Sequence, residues 1–208
     1  ELTHKNIVKV YSVNILPIPY VEMEFCKQSL ADIKKPVSLA FSVSLIKEIS
    51  EGLLYAHCKG VIHRDIKPQN ILISEDSVPK LSDWGLGKII GDNTETKTIA
   101  FSLNYASPEQ VAPGIFGRSD ERTDIFQMGV VFYELLTGIL PFSGEGIGEF
   151  STAIINEEPK VPSAIIPGAK KIDKLVMKCL KKYPDERYQS IEEFLEDLNR
   201  ITGFSDNF

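Results

Sequence analysis

An α+β fold, mostly helical and led by a pair of strands, is what the sequence predicts, on three observations. Short runs rich in Val, Ile, Tyr and Phe, separated by Pro17 and Pro19, open the chain over Ile7 to Val13 and Tyr20 to Phe25. From Ser38 onward, apolar residues recur every three and four positions, the mark of a long amphipathic helix. Thr123 to Thr137 is apolar almost all round, as in a helix enclosed on every side. A chain of 208 residues, 43% hydrophobic and 25% charged, has the material for one domain with a substantial core.

Each element has its own local reason. The two opening runs read as strands joined by a turn, and Ser29 to Lys34 begins a short helix. The long helix has Leu39, Val43, Ile46, Ile49, Leu53 and Ala56 along one face, Ser38 as its N-cap and Gly60 as its terminator. His57, on its last turn, reads as a packing or capping residue. Ile71-Leu72-Ile73 and Pro79-Lys80-Leu81 flank the polar turn Glu75-Asp76-Ser77 and form a hairpin. Asp124 lies at the start of the enclosed helix, where a plain N-cap is one of two compatible readings, and Gly138 ends it. Pro141-Phe142 begins an exposed connection. Two amphipathic helices follow, one over Ile172, Leu175, Val176, Cys179 and Leu180, the other over Ile191, Phe194, Leu195, Leu198 and Ile201.

Composition excludes several functions. A net charge of −6 with a pI near 5.2 argues against a nucleic-acid partner, because phosphate backbones select basic surfaces. Cys26, Cys58 and Cys179 are odd in number and widely spaced, so neither a disulfide framework nor a zinc site is indicated and a reducing, cytoplasmic setting is expected. No apolar run approaches the roughly 20 residues of a membrane span.

The chemistry is concentrated in His63-Arg64-Asp65-Ile66-Lys67-Pro68-Gln69-Asn70 and Asp83-Trp84-Gly85. Together these stretches supply a carboxylate able to take a proton, a cation beside it, and an amide and a second carboxylate of the hard-oxygen kind that Mg²⁺ accepts. That set suits phosphoryl transfer, where the metal neutralises a triphosphate, a base orients the attacking hydroxyl and a cation steadies the transferred group.

Here the chain resembles the eukaryotic-type (Hanks-type) Ser/Thr protein kinases, with the catalytic-loop pattern H-R-D-x-x-x-x-N and a variant of the metal motif D-F-G. The resemblance implies a protein-kinase-like fold. Residues 1–25 would be residual strands of the small lobe and the start of the hinge, and residues 26–208 the large lobe. By the same resemblance Asp65 would be the catalytic base and Lys67 the cation at the phosphoryl group. Asn70 and Asp83 would be the Mg²⁺ ligands, and ATP the phosphoryl donor. Lys67 points to Ser or Thr hydroxyls on a protein substrate. Glu24 and Cys26 would present hinge backbone to adenine behind a gatekeeper at Met23, with Ser29 at the ribose and Leu72 beneath the adenine ring.

The resemblance assigns further positions. Arg64 would pair with a phosphate on an activation segment running from Asp83 to Glu109, where Thr94, Thr96 and Thr98 are candidate acceptors. Ser102-Leu103-Asn104-Tyr105-Ala106-Ser107-Pro108-Glu109 resembles T-x-x-Y-x-[AS]-P-E. Ser102 keeps the hydroxyl that bridges Asp65 and Lys67, and Phe101 stands where Gly is commoner. Glu109 would pair with Arg187, Asp124 would cap the catalytic loop behind His63, and Trp84 would serve as the apolar plug that Phe usually provides. The family's Gly-rich loop, strand Lys and helix Glu belong upstream of the first strand. The expectation is therefore a truncated or partial product, weak or inactive alone and prone to self-association through an uncovered apolar face. Two rival readings are a pseudokinase-like scaffold and a small-molecule kinase of related fold; the Ser102 to Glu109 pattern disfavours the second.

Overall fold

Ser38 accepts a hydrogen bond from the Phe41 amide at 3.2 Å and so starts α1 (Leu39–His57). Along its inner face Ile46, Ile49, Leu53 and Ala56 are fully buried. The computed structural model describes residues 2–84 and 103–203; the expectations placed on Thr94, Thr96, Thr98, Phe101 and Ser102 lie outside the described residues.

Helix α1 packs on three sides of the architecture. Its first neighbour is the hairpin formed by β4 (Ile71–Ile73) and β5 (Pro79–Leu81), which with β3 (Gln28–Ser29) makes an antiparallel sheet in the order β3-β4-β5. At the front, β1 (Val10–Asn14) and β2 (Tyr20–Met23) form a separate antiparallel pair with Val13 opposite Val21. The two sheets are stitched where Val8 N donates to Leu81 O at 2.8 Å and Leu81 N donates to Asn6 O at 2.9 Å. The first strand thus begins three residues later than expected, because Ile7 bridges β5 in parallel instead of pairing with β2. Gly52 is required at this junction: a Cβ there would lie 2.9 Å from the Asn6 carbonyl oxygen.

Two short helices, α2 (Pro108–Val111) and α3 (Pro113–Phe116), precede α4 (Glu121–Thr137), the enclosed helix. Ile125, Phe126, Val130, Val131, Phe132 and Leu135 on α4 are all fully buried. The N-cap is Asp120, whose carboxylate accepts from Arg122 N at 2.9 Å, and not Asp124. Asp124 sits in the first turn, which releases its side chain for another task. Gly138, at φ +77, ends the helix as expected.

Helix α5 (Gly146–Asn156) occupies ground that the sequence reads as loop, and Phe142 is buried, not exposed. The ring of Phe142 lies 3.8 Å from the Lys182 ammonium, which donates to Ile154 O at 2.6 Å. Burial lowers that ammonium to a pKa of about 8. Helices α6 (Asp173–Cys179) and α7 (Ile191–Gly203) close the body where the periodicity places them. At Gly129 a Cβ would lie 2.6 Å from Cys179 Cβ, so α4 and α6 meet at a spacing only glycine permits. Among the described residues no helix is long and apolar enough to cross a membrane.

Candidate active site

The site is built outward from α4. Asp124, fully buried, accepts through Oδ2 from His63 N at 2.9 Å and through Oδ1 from Arg64 N at 2.7 Å, with His57 Nε2 2.8 Å from Oδ2. Three partners compensate the desolvation of a carboxylate that would otherwise be costly to bury. They also hold Arg64 at φ +66, a left-handed conformation that costs a residue with a Cβ about 1–3 kcal/mol. His63 is locked in turn: its Nε2 donates to Ser82 O at 2.8 Å and its Nδ1 accepts from Asp65 N at 3.3 Å. That pairing assigns the neutral tautomer, and burial holds the imidazole below its usual pKa. The His63 and Trp84 rings lie 4.6 Å apart, and Trp84 Nε1 donates to Leu81 O.

On this base the loop gathers a carboxylate, a cation and an amide. Lys67 Nζ lies 2.7 Å from Asp65 Oδ2, while Asn70 Nδ2 donates to Asp65 O at 2.8 Å and to Asp65 Oδ2 at 3.0 Å. The amide nitrogen of Asn70 is thus spent on Asp65, which makes its oxygen the atom to offer a metal. Ser82 donates from N and from Oγ to Asn70 O, at 2.9 and 3.2 Å, so Asp83 follows directly from a residue bound to Asn70. Asp83 is exposed, with φ +61. Among the described residues no cluster of three or more His, Cys, Asp or Glu side chains gathers. An amide oxygen and a carboxylate nevertheless fit Mg²⁺, a hard ion that completes its shell with phosphate oxygens and water.

The residues expected at the nucleotide flank β3 and β4. Leu72 pairs with Ser29 on one side and Lys80 on the other, two residues after Asn70. The intervening connection is fastened by Lys27 N donating to Ile73 O at 3.0 Å. The Glu24 side chain is a strut, accepting from Lys9 N at 2.6 Å and pairing with Lys80 Nζ at 3.0 Å. The Ser29 hydroxyl and amide both donate to Asp32 Oδ2, at 2.7 and 2.8 Å, at the start of a single 3-10 turn over Leu30–Asp32. Burial, then the nearby Glu24 carboxylate, pushes the Cys26 thiol up. Met23 lines a cavity of about 450 Å³ together with Val10, Val13, Ser82, Asp83 and Trp84.

On the opposite side, Arg187 Nη1 and Nη2 each donate to Glu109 at 2.8 Å, and neither side chain is exposed. Thr123 Oγ1 adds a bond of 2.7 Å to the same carboxylate. Every N–H of the guanidinium is used, the others meeting the carbonyls of Lys181, Arg122 and Lys182. Burial opposes ionisation of Glu109, but the Arg187 bonds outweigh it and its carboxyl stays below the usual range.

The protein kinase domain model matches residues 1–198. The chain belongs to the protein kinase family. Similar sequences include a Clostridium perfringens protein bearing the name probable serine/threonine-protein kinase, 36% identical over 97% of this chain and 30% of the relative. The serine/threonine-protein kinase PknB of Mycobacterium tuberculosis is 35% identical over 96% of this chain and 34% of its own length, and that of Mycobacterium leprae is 34% identical over the same shares. The chain spans about a third of the length of these curated relatives.

Within this kinase domain the fold brings Asp65, Lys67 and Asn70 together and pairs Glu109 with Arg187. Asp124 lies behind His63 and Arg64, accepting from both backbone amides. Sequence reasoning overlooked two amides, Gln110 and Gln127, that also touch the catalytic loop. The available signal was Gln127 itself, a polar side chain in an otherwise apolar helix.

Proposed function

We propose that the full-length protein transfers the γ-phosphoryl group of Mg-ATP to Ser or Thr hydroxyls of a protein substrate. The observation that carries this reading is the Asp65 carboxylate, held 2.7 Å from Lys67 Nζ and 3.0 Å from Asn70 Nδ2 on a loop anchored to α4. Asp65 accepts a hydrogen bond from the substrate hydroxyl, aims it at the phosphorus and takes its proton. Lys67 stands beside it to balance charge on the transferred oxygens. Asn70 and Asp83 would hold Mg²⁺, whose contribution when bound is to offset the phosphate charge. Glu24 to Cys26 with Leu72 form the adenine side and Ser29 the ribose side, which corresponds to a division into 1–25 and 26–208 at the hinge. Arg64 awaits a phosphate on the segment holding Thr94, Thr96, Thr98 and Ser102.

In the full-length protein, Asp65→Ala should lower turnover on a Ser-containing peptide by about 10²–10⁴-fold, with nucleotide affinity retained. Equal turnover in wild type and variant would favour the scaffold reading. The exposed Tyr11, Val13, Ile15, Leu16, Ile18 and Phe25 support self-association through the front hairpin; a monomeric mass in light scattering at every concentration refutes it. Unpaired cysteines at 26, 58 and 179 support a reducing, cytoplasmic setting.

A further inference from the structure

Gln127 lies one helical turn beyond Asp124 on α4 and is 2% exposed. Its Oε1 accepts from Ile66 N at 2.9 Å, and its Nε2 donates to Arg64 O at 3.2 Å and to Gln110 Oε1 at 3.0 Å. The Arg64 carbonyl belongs to the peptide group on the N-terminal side of Asp65, and the Ile66 amide to the one on its C-terminal side. A single side chain therefore grips both peptide planes attached to the Asp65 Cα, which fixes its φ and ψ and with them the direction of the Cα–Cβ bond that carries the carboxylate. Asp124 grips the two preceding planes through His63 N and Arg64 N. Gln110 joins the same point: its Nε2 donates to Arg64 O at 2.8 Å, while its Oε1 accepts from Ser107 N at 3.0 Å.

We propose that Gln127 is a positioning residue for the reaction, setting the direction of the Asp65 carboxylate and tying it, through Gln110, to the segment that begins α2. The proposal rests on the reading of Asp65 as the base. It accounts for a polar side chain in a helix whose neighbouring positions, Phe126 and Met128, are buried apolar residues. An amide supplies what the site needs and no apolar residue can, an acceptor and donors on one planar group.

The test uses the full-length protein, a Ser-containing peptide and Mg-ATP, with kcat, both KM values, Mg-ADP affinity and the thermal midpoint measured for each variant. Gln127→Met removes every one of these bonds at similar volume, and kcat should fall about 10–100-fold, as for a base displaced by an ångström or less, with Mg-ADP affinity unchanged. Gln127→Glu keeps the acceptor for Ile66 N but sets a carboxylate oxygen against Arg64 O and Gln110 Oε1, and should recover none of that loss. Because Gln127 acts through Asp65, adding Gln127→Met to Asp65→Ala should cost no further rate. The proposal is overturned if Gln127→Met turns over at the wild-type rate, or if it slows Asp65→Ala by the same factor as wild type. Should Gln127→Met fail to fold, Gln127→Glu decides: a wild-type kcat overturns the proposal and a reduced kcat at unchanged Mg-ADP affinity supports it. Wild-type turnover in Asp65→Ala alone would instead remove the reading of Asp65 while leaving the grip on the loop as observed.

Discussion

The front hairpin and helix α4 are both rich in large apolar side chains, yet they end in opposite surroundings. On α4, Ile125, Phe126, Val130 and Phe132 are completely enclosed, whereas on and beside the hairpin Leu16 is 84% and Phe25 74% exposed. The difference lies in neighbours. Helix α4 is surrounded by α1, α6 and the 3-10 turn at Pro162–Ala164, so every face finds a partner. Among the described residues the hairpin's strands pair chiefly with each other, and a two-stranded ribbon supplies little stability by itself. Cohesion therefore belongs to the helical body, and the carboxylate, cation and amide of the candidate site are mounted there.

The sharpest break should come from the buried ion pair of that body. Arg187→Ala leaves Glu109 charged and enclosed, and should cost about 3–5 kcal/mol in chemical denaturation. The same pair predicts a pH dependence. Because the folded Glu109 carboxyl titrates below its ordinary value of 4.5, its contribution is present above that pH and lost as pH falls through the folded value. The stability gap between wild type and Arg187→Ala should accordingly narrow in acid, and a gap that widens there would contradict the assignment. Next in size, Leu53→Ala removes a fully buried side chain on α1 and should cost about 2–5 kcal/mol by the same measurement. Least of all, Leu16→Ser at the exposed hairpin should change stability by no more than about 0.5 kcal/mol. If Leu16→Ser were as damaging as Leu53→Ala, the contrast between the two regions would collapse.

Legibility followed the range of the interactions. Helices α1, α4, α6 and α7 announce themselves because a buried stripe repeats at the helical period, and the catalytic loop is legible because its chemistry sits within eight residues of chain. The pairing of Glu109 with Arg187 spans 78 positions and was accessible only through family resemblance. Helix α5 escaped because Gly146 and Gly148 weaken its first turn, although Phe150, Ala153 and Ile154 give it a buried face. The start of α4 was misplaced because Asp120 and Asp124 are both suitable caps, and only the fold shows that the second is occupied with His63 and Arg64. The front strand was shifted because Ile7 is claimed by β5, a contact across the chain that no local pattern records.

Asp124 and Gln127 between them fasten the backbone on both sides of Asp65 to the most enclosed helix of the body. The direction of that backbone is therefore set by side chains that belong to another element of the fold. On the proposed reading of Asp65, that arrangement leaves the entry of nucleotide and acceptor as the step on which control would act.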